Sequence, residues 1–262
     1  MDMETVKNTA TSSLHKAGNL LCTLYEAGVA IEKKGAVDLV TEADKAAEAA
    51  VIETISRVFP HHGILAEESG AHSENAPFRW VIDPLDGTTN FAHGLPLFCT
   101  SIAFQAHGET LLGAVLNPIT RELFLAEKGK GATRNGKAIG VSQTADLEES
   151  LLVTGFPYNR REVLDGLMAK VKRCLGKAQG LRRLGSAALD LCYLASGRFD
   201  GFWEQNLKSW DTAAGVLIAR EAGGTITDFQ GGPYTPGDPT MLATNGPIHK
   251  EMMHLLATAH AE

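Results

Sequence analysis

Apolar residues at positions 3, 6, 10, 14, 17, 21 and 24 recur every three or four residues, which predicts an amphipathic helix ending near Gly28. In the segment TEAD, Thr41 and Asp44 have the spacing of a capping box, and Ala46, Ala47, Ala49, Ala50, Val51, Ile52 and Ile55 carry a second helix on to Pro60. The period then changes. GILAEE and WVIDPLD are short apolar runs that end in carboxylates, the pattern of buried strands that deliver charge to the end of a sheet. From Cys99 to about Val141, apolar stretches alternate with turn signals at HGE (107–109), NPITRE (117–122), KGKG (128–131) and NG (135–136), which predicts an antiparallel meander.

Beyond residue 145 the pattern mixes. It reads as an apolar LLVTGF, a helix around Arg160 to Cys174, the short LRRLGS and a helix from Ser186 to Ala195. FDGFWE follows as a strand, then a helix from Asp211 to Ala222 with Gly223 and Gly224 as its left-handed exit. A strand MLATN precedes a last helix from about Pro247. The expected organisation is an α+β half over 1–142 that carries most of the acidic candidates, and an α/β half over 143–262 that carries Asp211. With no repeat or polar linker between them, the two should form one compact unit sharing a cleft.

Composition narrows the classes. Of 262 residues 44% are hydrophobic and 21% charged, a globular balance with enough apolar mass for a sizeable core. The 24 basic and 31 acidic residues leave a net charge of 24 − 31 = −7, which argues against a dedicated nucleic-acid binder and favours a small-molecule partner. The basic run KGKGATRNGK carries hairpin signals, so its charges read as a solvated face. No apolar stretch reaches the ~18 residues of a membrane span, and the N-terminal segment is acidic and polar, unlike a signal peptide. Cys22, Cys99, Cys174 and Cys192 form no CxxC pair and lie in or beside apolar runs, as free thiols of a cytoplasmic protein do. The nine histidines show neither HxxxH nor HExxH spacing, which disfavours zinc.

The chemistry concentrates in WVIDPLDGTTNF, residues 80–91, where an apolar strand ends in two carboxylates around a proline and enters a Gly-Thr-Thr turn. Pro84 fixes its own φ and has no N–H, so the turn can aim Asp83 and Asp86 to one side and expose a carbonyl such as that of Leu85. These are hard oxygen donors suited to Mg²⁺, and the N–H groups of Gly87 and Thr88 beyond them suit a phosphate. A lone Asp-Pro is ordinarily an Asx-type turn that satisfies local donors. Here further acids end or open other apolar elements: Glu67 and Glu68 after GILA, and Asp211 after Trp210. If Glu67, Asp83, Asp86 and Asp211 converge, a phosphomonoester adds about two more negative charges, and the site must recruit cations. Two Mg²⁺ ions would balance the carboxylates, polarise the phosphoryl oxygens and acidify a water.

At this point the chain resembles the inositol monophosphatase family of lithium-sensitive, magnesium-dependent phosphatases. The matching segments are VDLVTEAD (37–44), ILAEES (64–69), WVIDPLDGTTNF (80–91), LGSAALDLCYLASGRFDGFWE (184–204) and SWDTAAGVLIAREAGG (209–224), in the family's order across nearly the whole length. The resemblance implies a layered αβαβα sandwich with a mainly antiparallel N-terminal sheet and a mixed C-terminal one. It implies Mg²⁺-dependent hydrolysis of myo-inositol monophosphate by direct attack of water. Glu67, Asp83 and the Leu85 carbonyl would hold one ion; Asp83, Asp86 and Asp211 a second; Glu67 would help bind a weaker third.

Thr88 and Asp44 match the pair that orients and activates the water, so Asp44 has a catalytic alternative to its capping role. Gly87 and Thr88 would meet the phosphate, and Asp86, the backbone of Gly185, Ser186 and Ala187, and Glu204 the alcohol. Lys33, or Lys34 beside it, matches a basic loop position near the third ion. Arg182 and Arg183 fall near the substrate segment or a subunit interface. A homodimer is implied as well. Relatives with the same metal ligands act on histidinol phosphate, fructose 1,6-bisphosphate or nucleotide phosphates, and some bacterial relatives associate with the transcription machinery, so these remain the alternatives.

Overall fold

The computed structural model describes residues 2–27, 31–33, 39–73, 76–157 and 159–257, with 31–33 and 39–41 described as backbone. Helix α1 (Met3–Ala27) buries Val6, Ala10, Leu14, Ala17 and Leu21 along one stripe. An antiparallel ribbon of β1 (Ile31–Lys33) and β2 (Leu39–Thr41) leads into α2 (Glu42–Val58), which stops two residues before Pro60. Next come β3 (Gly63–Ala66), β4 (Gly70–His72), β5 (Phe78–Asp86), the five-residue α3 (Thr88–Ala92), β6 (Cys99–Ala106), β7 (Glu109–Asn117), β8 (Glu122–Glu127), β9 (Ala132–Arg134) and β10 (Lys137–Ala138). These strands form one sheet in the order β10-β9-β8-β7-β6-β5-β3-β4, antiparallel except where β3 runs parallel to β5.

The second part contains β11 (Leu151–Thr154), α4 (Leu164–Leu175), β12 (Gly180–Arg182), α5 (Ala187–Ala195), β13 (Gly201–Gln205), α6 (Ser209–Glu221), β14 (Thr225–Thr227), β15 (Thr240–Thr244) and α7 (His249–Ala257). Its sheet, ordered β12-β11-β13-β15-β14, is mixed: β11 lies parallel to β12 and β13, and β15 antiparallel to β13 and β14.

Strand pleat sorts the side chains into layers. On the large sheet Trp80, Ile82, Ile102, Phe104, Leu112 and Ala114 point toward α1 and α2, while Val81, Ala103, Val115 and Phe124 point the other way, toward α5 and α6. The small sheet presents Val153, Phe202, Met241 and Ala243 to the opposite side of α5 and α6, and Leu152, Trp203 and Leu242 to α4 and α7. The architecture is therefore the expected αβαβα sandwich, with α5 and α6 shared by both sheets. Because α5 is sandwiched, all nine of its residues are buried, which explains its nearly uniform apolar sequence. No helix among the described residues is long and apolar enough to cross a membrane.

Three local expectations change. The helix expected from Arg160 begins at Leu164, since 160–163 form a turn. Of the two glycines after α6, only Gly223 is left-handed, at φ +93°; Gly224 serves close packing, a methyl there meeting the Ala219 carbonyl oxygen at 2.8 Å. The strands β4, β12 and β14 were not foreseen, because three residues are too few to display a period. The NG turn behaves as read, Asn135 and Gly136 both having positive φ as a tight hairpin requires. Cys99, Cys174 and Cys192 are buried and Cys22 is half-buried, all four as free thiols.

Gly113 on β7 lets α6 approach the sheet: a methyl group there would stand 2.6 Å from the Ala214 carbonyl oxygen. Gly113→Val should force α6 outward and destabilise the fold by about 1–3 kcal/mol or more, read as a lower urea midpoint at unchanged slope. A midpoint equal to wild type would show that the α6–sheet contact is not tight.

Candidate active site

The acidic strand end depends on a change of register. Asp83 pairs with Ser101 and Asp86 with Cys99, so β5 spends two residues, Pro84 and Leu85, opposite the single Thr100 of β6. In an unbroken strand, residues three apart point to opposite faces. The extra residue restores parity, and both carboxylates emerge on the face toward α5 and α6. Proline fits here because a bulge needs no ladder N–H from it; its carbonyl accepts the Thr100 hydroxyl at 2.9 Å. Leu85 sends its side chain into the opposite core, and its N–H donates to Asp83 Oδ1 at 3.0 Å.

Gly87 then turns the chain into α3. Its φ of +95° lies in the left-handed region, and a methyl there would sit 2.7 Å from the Leu97 carbonyl oxygen, so glycine is required on both counts. Thr88 follows with its hydroxyl donating to the Leu85 carbonyl at 3.0 Å. Asn90 donates through Nδ2 to the carbonyls of Leu97 (2.7 Å) and Leu184 (2.8 Å), tying α3 to the segment before α5. Asp86 makes the second tie: its Oδ2 accepts from Ser186 Oγ at 2.6 Å and from Ala188 N–H at 2.7 Å. The carboxylate thus sits at the N-terminus of α5, where the helix dipole favours negative charge.

The remaining acidic candidates arrive from three other elements. Glu67 follows β3, its N–H bonded to the Ile82 carbonyl at 3.2 Å. Its loop is pinned by Glu48 of α2, whose carboxylate accepts the N–H groups of Glu68 and Ser69, both at 2.8 Å. Asp44, in the first turn of α2, is 1% exposed. Asp211, in the first turn of α6, accepts the Lys208 N–H through Oδ2 at 2.7 Å. The side chain of Thr41, the other half of the capping box, lies outside the described residues, as do Lys34 and the side chain of Lys33.

Electrostatics shows that these groups share one space. Burial pushes Asp83 well above the usual carboxylate range, and the charges of Glu67, Asp86, Asp211 and Asp44 push it further. Burial likewise raises Asp86, against the Ser186, Ala188 and Ala187 donors and the Arg183 charge that favour its ionised form. Asp211 is raised to about 7 by burial and by Asp86. Such a cluster calls for cations. Among the described residues no three His, Cys, Asp or Glu side chains form a group that could hold a metal ion as it stands. The donor chemistry nevertheless fits a hard divalent ion. Every donor is oxygen, and Asp83 and Asp211 each spend one carboxylate oxygen on a backbone N–H, the other meeting no donor among the described residues.

Of these acids Asp86 and Asp211, together with Gly87 and Thr88, line a cleft of about 590 Å³, and Gly185, Ser186 and Ala187 continue its wall; Asp44, Glu67 and Asp83 lie behind that lining. Glu204, on β13, points in from the small sheet and is 8% exposed. Its carboxylate lies against Gly155 so closely that a methyl group on residue 155 would overlap it. Burial raises Glu204 to about 8, with Asp211 and Asp86 adding to the rise and Arg183 opposing it. Arg183 therefore belongs to the cleft, whereas Arg182 is exposed on the edge strand β12.

Sequence reasoning missed Asp190, Gly155 and Glu48. Asp190 could have been found as the sole charge in the apolar AALDLCYLA; Gly155 and Glu48 carry no such signal.

The whole chain also finds relatives. The family model described as the inositol monophosphatase family matches residues 2–262. An inositol-1-monophosphatase of Synechocystis sp. is 46% identical over 258 residues, covering 98% of this chain and 90% of that protein. A protein named Nus factor SuhB of Haemophilus influenzae is 43% identical over 255 residues, covering 96% of each. The solved structure of inositol monophosphatase from Anabaena superposes with a TM-score of 0.88 at 43% identity, covering 98% of this chain and 96% of that one.

The raised carboxyls give stability a definite pH dependence. Without metal, folded Asp211 (about 7) and Glu204 (about 8) hold protons that the unfolded chain releases at its ordinary carboxylate pKa. Their contribution is whole below that range and is lost as pH rises through the folded values. In EDTA the Tm should fall between about pH 5 and about pH 8, and Glu204→Gln should flatten the fall. A Tm that climbs across that interval, or a slope untouched in the variant, would contradict the burial of these groups.

Proposed function

Because this chain belongs to the inositol monophosphatase family of phosphoric monoester hydrolases, we propose that it hydrolyses a myo-inositol monophosphate to inositol and phosphate. The reaction is magnesium-dependent, and water attacks phosphorus without a phosphoenzyme. The observation that carries this reading is the parity change in β5, which sets Asp83 and Asp86 on one face in electrostatic contact with Glu67, Asp44 and Asp211.

Glu67, Asp83 and the Leu85 carbonyl would hold one Mg²⁺; Asp83, Asp86 and Asp211 a second; Glu67 would contribute to a weaker third. When bound, magnesium supplies charge neutralisation, polarisation of the phosphoryl oxygens and acidification of a water. The protein's own groups do the placing. Thr88 spends its hydroxyl hydrogen on the Leu85 carbonyl, which leaves its oxygen lone pairs to take a hydrogen bond from the attacking water. Asp44, buried at the start of α2, would be the carboxylate that takes up the proton the water loses. The N–H groups of Gly87 and Thr88 face the phosphate. Asp86, the backbone of Gly185 to Ala187 and Glu204 receive the hydroxyls of the alcohol, which separates a polyol from a bare ester. The protein would work in the cytoplasm, as a homodimer, and be inhibited by lithium.

The test is phosphate release from inositol 1-phosphate, histidinol phosphate, fructose 1,6-bisphosphate and adenosine 3′,5′-bisphosphate, each with Mg²⁺ and with EDTA. Preference for inositol 1-phosphate, abolished by EDTA, is expected. Preference for another of the four would keep the metal site and replace the assigned alcohol. Asp83→Asn should lower turnover by several orders of magnitude with the fold intact by circular dichroism, since it weakens both ions together. Near-normal activity in that variant would sink the site assignment.

A second reading is favoured by the 43% identity to a protein named Nus factor SuhB: association with the transcription machinery, on a surface independent of this cleft. Copurification with transcription complexes that survives Asp83→Asn would support it.

A further inference from the structure

Asp190 has no part in the chemistry above, yet it lines the same cleft. It is 1% exposed, and among the described residues neither of its carboxylate oxygens has a hydrogen-bond partner. A desolvated carboxylate without a donor is among the costlier features a core can hold, so a cation or a donor has to meet it in some working state. Burial raises it well above the carboxylate range; Glu204 and Asp86 add to the rise and Arg183 opposes it. Arg183 is thus the cation within reach of both Asp190 and Glu204. Its guanidinium, however, lies over the Phe156 ring, 5.5 Å from the centroid, and not on Asp190.

The cleft therefore carries an acid without a donor and a guanidinium parked on an aromatic face. Both Asp190 oxygens are shielded from solvent while the cleft is open. Arg183 lines the same cleft, and its charge acts on Asp190. A ligand filling the cleft strips water from that guanidinium, and its planar fork of donors is then best satisfied by two carboxylates.

We propose that Asp190 is the seat Arg183 takes when substrate fills the cleft: the guanidinium bridges Asp190 and Glu204 and fixes the Glu204 carboxylate where it receives the hydroxyls of the leaving alcohol. Asp190 is then a positioning residue that selects for polyol esters, acting through Arg183 and Glu204 and touching no reacting atom. The inference rests on the polyol-phosphatase reading above.

The experiment compares wild type, Asp190→Asn, Arg183→Ala and the double variant on inositol 1-phosphate and on phenyl phosphate, whose leaving group bears no further hydroxyls. For Asp190→Asn, KM for inositol 1-phosphate should rise roughly tenfold with kcat within about twofold, the size of one lost charge-assisted contact. KM for phenyl phosphate should not change. The Tm should hold, because the amide keeps the shape of the carboxyl group it replaces. In the Arg183→Ala background, Asp190→Asn should add little. Unchanged KM for inositol 1-phosphate would overturn the proposal. So would equal losses on both esters with a lowered Tm, which would make Asp190 a packing residue. Wild-type inactivity on both esters in Mg²⁺ would bring down the phosphatase reading itself, and this inference with it.

Discussion

The pairing of two residues of β5 against one of β6, at Pro84 and Leu85, is the constraint on which the rest of the site depends. Strand geometry alternates faces without exception, so two acids three positions apart reach the same side only if one residue is taken out of the count. Once that is done, Asp86 reaches Ser186 and Ala188 at the start of α5, and the first sheet is joined to the second half of the chain through a charged group. The left-handed Gly87 follows directly, since the chain has to leave the sheet at once to clear the Leu97 carbonyl. Asn90, bridging two carbonyls across the same junction, holds the exit at its angle.

This arrangement puts stability and chemistry in opposition. Asp86 is compensated by a helix N-terminus and a serine hydroxyl, while Asp83 has one backbone N–H and several like charges around it. A fold can carry such a cluster only if the surroundings are stiff. Here the stiffness comes from close approach: Gly113 under Ala214, and Gly215 against Leu191 between the two central helices. Close-packed backbones transmit little relaxation, so the carboxylates cannot drift apart to relieve their repulsion.

Much of the layer order was legible in the chain. The three-to-four period of α1, the alternation along β6 to β8 and the nearly unbroken apolar sequences of α5 and α6 each correspond to a definite solvent exposure. Carboxylates at the ends of apolar runs were legible too, because a charge that closes a buried strand has few structural uses. What stayed hidden depends on partners distant in sequence. Glu48 looks like any polar residue of an alanine-rich helix until the loop after β3 lies across it. Gly155 looks like a loop glycine until Glu204 arrives from β13. The β12 and β14 strands exist only because β11 and β15 offer them an edge. Asp44 fits a cap and a catalytic group equally well on local pattern; its burial and its charge coupling to Asp83 bear on the choice only in three dimensions.

The central helices α5 and α6 belong to neither sheet alone. Each sheet loses the cover of one apolar face if they are withdrawn, so the molecule has no seam along which its halves could part. Mechanically that ties both walls of the cleft to the same pair of helices. Traffic through it must be managed by side chains and the short segments at its mouth. The same sharing binds folding into one event, since neither sheet can bury both of its faces before the chain has run as far as residue 221.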